Sequence, residues 1–294
     1  MTGSPNPTRT PRPMDTLPSG KTDARGDTFR QVLATLEQGI AAIMDSEGFA
    51  RYLRCLARFH SYSPNNVALI LAQRPDATRV AGYRAWQTLG RQVRKGERGI
   101  RIVVPYRSPI APEEEGQRAE TIAGWGARAV FDVSQTEGEP LVAAPITDAL
   151  IGNATVADVV REELVGWLRE RGVTLTRQDT GRANGYYNPR TREIAIHHHL
   201  TGIRELKTLV HEAAHFVADH CGGVRWEDAE TVAESSAYVV LAHFGMDTGD
   251  YSFGYVAHWA REITVFRRNL AAIQQVAHQL IVAITDTGQH SVAV

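Results

Sequence analysis

Two histidines and a glutamate in the second half of the chain have the spacing of a metal-dependent hydrolase. The segment Val210–Phe216 contains the pattern H-E-x-x-H, with His211 and His215 four residues apart and Glu212 beside the first histidine. Residues four apart lie on one face of a helix, so both imidazoles can hold one metal ion. Glu212 is the candidate general base, placed to take a proton from a water at that metal. The alternative is an amphipathic helix whose two histidines are partly exposed.

A third ligand would decide the class of metal site. A metzincin would need a glycine three residues after His215 and a histidine six residues after it, and this chain has Ala218 and Cys221 there. The next predicted helix supplies Glu230 and Glu234 on a face of small and apolar residues, where a carboxylate is costly unless it is paired or binds a metal. We expect Glu234 to be the ligand and Glu230 to support it or to take its place. If both carboxylates face solvent instead, the site has no third ligand here.

The hydrophobic pattern places these residues in a second domain that combines helices and short strands. Segments 156–168, 206–218 and 255–284 have helical periodicity, whereas 185–188 and 193–197 are typical of a hairpin. We expect the strand 193–197 to bind an extended substrate chain by strand addition.

Basic residues are concentrated in the first half of the chain. From Arg79 to Arg107 there are eight arginines and lysines against one acidic residue, Glu97, and aromatic residues lie among them. Such a pattern is typical of a groove that follows the backbone of a single strand and stacks its bases. A solvated basic hairpin above buried aromatic residues would have the same composition. The candidate DNA-binding residues are Tyr62, Asn65, Trp86, Arg91, Arg94, Lys95, Arg98 and Arg101.

Composition indicates a globular protein with an α+β fold in two domains. The chain has 294 residues, a net charge of −1 and only two cysteines, which do not form a disulfide framework. It has neither the pattern of a signal peptide nor an apolar run long enough to span a membrane, so we expect a cytoplasmic protein with no membrane partner. The predicted units are a disordered tail at 1–25, a DNA-binding domain at 26–138, a linker at 139–150, a metallopeptidase-like domain at 151–285 and a frayed tail at 286–294.

Several separated motifs in the first half resemble, in order, the N-terminal domain of ArdC-type antirestriction proteins. The resemblance covers about residues 26–138. The second half resembles the zincin-like metallopeptidase domain that usually follows it and has the H-E-x-x-H-then-Glu layout of the ImmA/IrrE group. The motifs are Ser63-Pro64-Asn65-Asn66, Gln73-Arg74-Pro75, Trp86, Gly90-Arg91, Val93 to Ile100, Pro105, Val130 to Glu137 and, in the second half, Tyr255 to Trp259.

The resemblance implies a function that joins the two halves. It implies that the first domain binds single-stranded DNA and that His211, His215 and Glu234 hold Zn²⁺ or another divalent metal, with Glu212 catalytic. It also implies that the protein protects incoming plasmid or phage DNA from host restriction and cleaves a protein substrate that the sequence does not identify. Two alternatives remain: a DNA-shielding protein with a structural metal site, and a regulatory peptidase that cleaves a repressor.

Overall fold

A computed structural model describes residues 20–43, 46–109, 120–141, 155–218, 225–246 and 263–287. The fold is α+β, as predicted, and each half of the chain combines helices with small sheets. The N-terminal elements are α1 (Gly20–Ala41), α2 (Ser46–Arg58), α3 (Pro64–Gln73), β1 (Val80–Ala81), α4 (Tyr83–Thr88), β2 (Arg91–Val93), β3 (Ile100–Pro109), β4 (Glu120–Asp132) and β5 (Thr136–Gly138). The C-terminal elements are α5 (Val156–Glu170), β6 (Thr174–Gln178), β7 (Gly185–Asn188), β8 (Glu193–His197), α6 (Gly202–Val217), α7 (Trp226–His243) and α8 (Ile263–Thr287).

The main N-terminal sheet has the order β1-β4-β3, so β3 is an edge strand. Two side-chain amides from α3 cover that edge. Asn66 both donates to the Val103 carbonyl and accepts from the Val103 N–H, each at 2.9 Å. Gln73 makes the same pair of bonds, also at 2.9 Å, with the backbone of Arg101. The amides replace the ladder of a missing strand and so prevent pairing with another chain at this edge.

The strands on either side of the basic turn 94–99 pair with partners further along the chain. Strand β2 pairs with β5, and β3 pairs with β4. Asp132 and Gln135 hold this arrangement. The Asp132 carboxylate accepts from the backbone N–H groups of Thr78 and Arg79, and Gln135 donates to the Arg98 carbonyl. The turn is therefore bonded to the end of β4 rather than closing a hairpin.

In the described part of the C-terminal domain, a mixed sheet lies beside four helices. The strand order is β6-β8-β7, with β8 parallel to β6 and antiparallel to β7. The expected strand pair 185–188 and 193–197 is present. The final helix α8 packs against α5, α6 and α7 and buries side chains such as Ile273, Leu280 and Ile284.

The two domains share one connected hydrophobic core, in which α2 of the first packs against α7 of the second. Histidines bridge this junction. His60 and His278 are joined by a hydrogen bond of 2.9 Å between their Nδ1 atoms. The Nδ1–H of His243 donates to the Ala57 carbonyl at 2.8 Å, and its ring lies edge-on to that of His60.

The helix ends differ from two of the predicted boundaries. Helix α1 begins at Gly20, inside the predicted tail 1–25, and α8 continues to Thr287, beyond the predicted end of the second domain at 285. Residues 1–19, most of the linker 139–150 and residues 288–294 lie outside the described residues. Within the described part of the chain, no helix combines the length and apolar character that crossing a bilayer requires.

Candidate metal centre

Helix α6 carries the H-E-x-x-H motif on the side that faces α7. Its apolar residues, among them Leu209, Val210 and Ala213, are buried, which fixes the rotation of the helix. His211 and His215 therefore project to the same side, and their Nε2 atoms lie 3.1 Å apart. Both rings keep a small exposed fraction, so the pair is open to one side.

Glu230 is the carboxylate that completes a three-residue cluster with these histidines. Its oxygens lie 3.5 Å from Nε2 of His211 and 3.4 Å from Nε2 of His215. One ligand atom from each of the three residues lies within 4.8 Å of the others, which is the spacing of a metal site. Burial raises the pKa of Glu230, but the hydrogen bonds from the two histidines outweigh it and hold that pKa well below its usual range.

Glu234 lies one helical turn further along α7 and contacts the other side of His211. Its Oε2 is 3.2 Å from Nδ1 of His211, and its Oε1 is 2.7 Å from Nζ of Lys207. The carboxylate is 8% exposed, and this is compatible with a charge because both oxygens have a basic neighbour. Burial works to raise the pKa of Glu234, and His211 and Lys207 together lower it. We predicted Glu234 as the ligand, whereas in the structure the Nε2 atoms of both histidines face Glu230.

Glu212 is buried beside the cluster and is 6% exposed. Burial raises the pKa of its carboxyl, while the two neighbouring histidines and a hydrogen bond from the Tyr187 backbone N–H lower it. The net pKa is above the ordinary value for a glutamate. A carboxylate of raised pKa next to two metal-ligand candidates is typical of a group that exchanges protons in catalysis.

A cleft of about 630 Å³ opens over these residues, with β7 along one side. Strand β7 is an edge of its sheet, and the Tyr187 N–H donates to Glu212, away from β8. Gly185 permits this close approach, because a Cβ there would lie 2.7 Å from the Ala195 carbonyl oxygen and 2.8 Å from Cγ2 of Thr208 on α6. The absence of a side chain at Gly185 thus sets the distance between β7 and the helix of the metal cluster.

The expectation that strand 193–197 adds a substrate strand is wrong. This segment is β8, which is hydrogen-bonded to β6 on one side and to β7 on the other, so neither of its edges is open. The edge that faces the cleft belongs to β7. The sequence pattern predicted the hairpin but not the parallel pairing of β6 with the far side of β8.

Residues 22–138 match the family model of the N-terminal domain of anti-restriction factor ArdC. These residues are similar to that domain, and we term them the ArdC-type domain. The chain is also 26% identical over 246 residues to pXO2-81, an uncharacterized protein of Bacillus anthracis; the alignment covers 70% of this chain and 42% of that protein. The chain therefore spans less than half the length of this relative.

Crystal structures of the antirestriction protein ArdC from plasmid R388 are similar to the chain. The Mn(II)-bound structure has a TM-score of 0.50 at 20% identity, covering 87% of this chain and 97% of that one. The metal-free structure has a TM-score of 0.47 at 22% identity, covering 77% and 86%. At these identities the similarity to the Mn(II)-bound protein concerns the fold, which extends across both halves of this chain.

Within the ArdC-type domain, two aromatic residues predicted to stack on DNA bases have other contacts. Trp86 is 1% exposed and its Nε1–H donates to the Phe131 carbonyl at 2.9 Å, so the prediction is wrong for this residue. Tyr62 is half-buried and its hydroxyl donates to the Val80 carbonyl. Both rings belong to the packing of the domain, because a large aromatic residue with a polar atom is stable inside when that atom is bonded.

The basic residues of the ArdC-type domain divide into two groups. The Arg91 guanidinium donates to Thr136 and to the Gly138 carbonyl, and Arg94 donates to Glu97 and to the Ser134 carbonyl, so these two side chains brace the β2–β5 region. The side chains of the other candidates are exposed. These are Asn65, Lys95, Arg98 and Arg101.

Sequence reasoning missed three groups of the site region. Lys207 lies four residues before His211, so the pattern K-x-x-x-H-x-x-x-H indicates that Lys207 and the two histidines share one face of the helix. No residue type or spacing indicates the role of the Tyr187 N–H, because the partner of a backbone donor depends on how its strand is paired. Trp125 is 55% exposed and lies within Gly124–Phe131, a segment rich in glycine and alanine.

Proposed function

We propose that the chain is an antirestriction-type protein of a mobile element that binds single-stranded DNA and hydrolyses a peptide bond in a protein substrate. The observation that carries the peptidase part is the cluster of His211, His215 and Glu230 with Glu212 buried beside it. The ArdC-type N-terminal domain supports the antirestriction part.

The donor set fits a divalent cation such as Zn²⁺ or Mn²⁺. Two imidazole nitrogens and one carboxylate oxygen converge, and the three carboxylates Glu212, Glu230 and Glu234 surround two histidines. Two histidines and a carboxylate are a ligand set used by catalytic zinc sites. When bound, the ion would polarise a water molecule and the carbonyl group of the substrate.

Glu230, His211 and His215 are the proposed ligands, and Glu234 is proposed to orient His211. Since Glu234 accepts at Nδ1 of His211, it holds the proton on that nitrogen and leaves the lone pair of Nε2 for the metal. Lys207 neutralises the second oxygen of Glu234 and keeps the carboxylate in place.

Glu212 is the proposed general base and acid. It takes a proton from the attacking water and passes it to the nitrogen of the leaving amine as the peptide bond breaks. The Tyr187 N–H keeps the carboxylate at the floor of the cleft. An extended substrate would lie along β7, whose outer edge faces the same cleft.

The DNA-binding part relies on the exposed basic residues Lys95, Arg98 and Arg101. Binding through phosphate contacts should weaken steeply as salt is added. We propose that the protein substrate is itself bound to DNA, because the DNA-binding and peptidase domains then act on one complex.

Glu212→Gln separates metal binding from catalysis. We expect the variant to keep the metal and to bind DNA as the wild type does, but to lose cleavage of labelled casein or of DNA-bound proteins, since an amide cannot accept the proton. Metal content, binding of labelled single-stranded DNA and gel analysis of cleavage on the same samples measure this. If Glu212→Gln still protects incoming DNA from restriction in cells, hydrolysis is not needed and the DNA-shielding function is favoured.

A further inference from the structure

One face of the β3–β4 sheet is mostly apolar although it is only partly buried. Residues directly opposite each other in an antiparallel pair share a face, so Arg101, Val103 and Pro105 on β3 lie on the same side as Ala129, Ala127 and Trp125 on β4. The other side is core, with Ile100, Ile102 and Val130 buried. The outward side of such a sheet usually carries polar residues. Here Val103, Pro105, Ala127 and Ala129 are half-buried and Trp125 is exposed.

This face, which we term the open face, lies between aromatic side chains. Small residues form its floor, where Ala127 and Ala129 lie beside Gly99, whose position has no room for a Cβ next to Ala129. Trp125 stands at one end. At the other end Tyr83, which is 43% exposed, contacts the ring of Phe131 edge-on with centroids 6.5 Å apart. Six residues of strand separate the two ends, a length of about 20 Å.

Charge around the open face is positive. Arg101 is exposed on the face itself, opposite Ala129, and Lys95 and Arg98 are exposed in the turn that leads into β3. From Gly99 to Pro105 and from Trp125 to Phe131 the two strands carry no acidic residue. Glu97 is bonded to Arg94 and Gln135. A flat apolar surface with aromatic ends and a cationic border is complementary to unpaired bases and their phosphates.

We infer that the open face binds single-stranded DNA, with bases stacked on Trp125 and on the Tyr83–Phe131 pair and with Arg101 between them on a phosphate or a base. The inference rests on the proposed DNA binding and assigns it a surface. Bases within a duplex are stacked on each other, so their faces cannot reach Trp125, and the open face selects single strands.

Two matched pairs of variants test this assignment in the full chain. Trp125→Ala and Arg101→Gln change the open face. Tyr106→Ala and Arg128→Gln change exposed residues on the opposite face of the same two strands. The probe is fluorescein-labelled (dT)20, followed by anisotropy at low salt, with the corresponding duplex and (rU)20 as competitors. Trp125→Phe tests stacking separately from loss of the side chain.

Trp125→Ala should weaken binding of (dT)20 by roughly 5- to 100-fold, the range of one lost base–aromatic stack, and Trp125→Phe should recover most of it. Arg101→Gln should weaken binding and lower the salt dependence. The controls on the opposite face should change affinity by less than about twofold. Circular dichroism and the melting temperature check that each variant is folded.

Three results would overturn the inference. If the wild type binds (dT)20 and the open-face variants behave like their controls, DNA binds elsewhere, and the proposed function survives. If (rU)20 is bound more tightly than (dT)20, the face serves RNA. If the wild type does not bind (dT)20 even at low salt, the proposed DNA binding itself fails and the inference fails with it.

Discussion

At the scale of single residues, the proposed metal centre consists of two stripes of side chains on antiparallel helices. Lys207, His211 and His215 follow one another at four-residue spacing on α6, and Glu234 and Glu230 face them from α7. Lys207 and His211 contact Glu234, and His215 contacts Glu230 one turn further along α6. The exchange of roles between the two glutamates follows from this register, because a shift of one turn decides whether a carboxylate reaches Nε2 or Nδ1 of His211.

The two glutamates should differ in their effect on metal binding. Glu230→Gln should reduce metal affinity as severely as His211→Ala, since each removes a ligand. Glu234→Gln should reduce it by about 10- to 100-fold, the usual effect of losing a group that orients a ligand. Titration of the metal-free protein against a chelating indicator measures both. The reverse order of effects would make Glu234 the ligand.

At the scale of secondary structure, several residues of the ArdC-like motifs make hydrogen bonds that hold the fold of their own domain. Asn66 and Gln73 cover the edge of β3, Trp86 fills the core under β4, and Asp132 with Gln135 joins three chain segments. Burial raises the pKa of Asp132, but hydrogen bonds from the Ser134 hydroxyl and from backbone N–H groups outweigh it and lower that pKa below its ordinary value. The side chains of these residues bond to the backbone of their own domain, so we expect substitutions there to destabilise the fold.

Asn66→Ala should destabilise the N-terminal domain by about 1–3 kcal/mol, because the part-buried N–H and carbonyl of Val103 lose their partners. Asn65→Ala is the matched control, since Asn65 is the exposed neighbour on the same helix, and its effect should stay within about 0.5 kcal/mol. Urea denaturation followed by circular dichroism compares the two. Equal effects would mean that water replaces the Asn66 amide at the strand edge.

At the scale of the whole molecule, the helix that carries Glu230 and Glu234 also contacts the N-terminal domain. Helix α7 packs against α2, and His243 near its end bonds to Ala57. Its far side thus belongs to the domain junction, where His60, His243 and His278 lie together. Burial, with a smaller effect of His243 and His278, lowers the pKa of His60 to about 4, and burial lowers that of His243. The imidazoles of His60 and His243 are therefore neutral in the folded junction at neutral pH.

Acid should weaken this junction. The folded-state pKa of His60 lies below its ordinary value of 6.5, so its contribution to stability is complete above pH 6.5 and is lost as the pH falls towards 4. His60→Leu should reduce the fall in melting temperature between pH 7.5 and pH 5, whereas His198→Leu, at an exposed histidine, should leave it unchanged. Scanning calorimetry at both pH values measures the difference. An unchanged fall in His60→Leu would assign the acid sensitivity to other groups.

The sequence by itself determined the local features of this protein. Helical periodicity placed His211 and His215 on one face, the strand patterns at 185–188 and 193–197 identified β7 and β8, and the ArdC-like motifs located the first domain. Each of these signals depends on neighbours within a few residues or on a repeated pattern, and the covalent chain keeps such residues together whatever the rest of the fold does.

Tertiary structure decided everything that depends on how two elements lie against each other. The register of α6 on α7 set Glu230 against the histidine Nε2 atoms, and pairing with β6 closed the edge of β8. The packing of the domain buries Trp86, whereas Trp125 is exposed. Periodicity gives the direction of a side chain relative to its own element, but which surface lies opposite is settled only when the core packs, because many weak contacts between distant segments then act together.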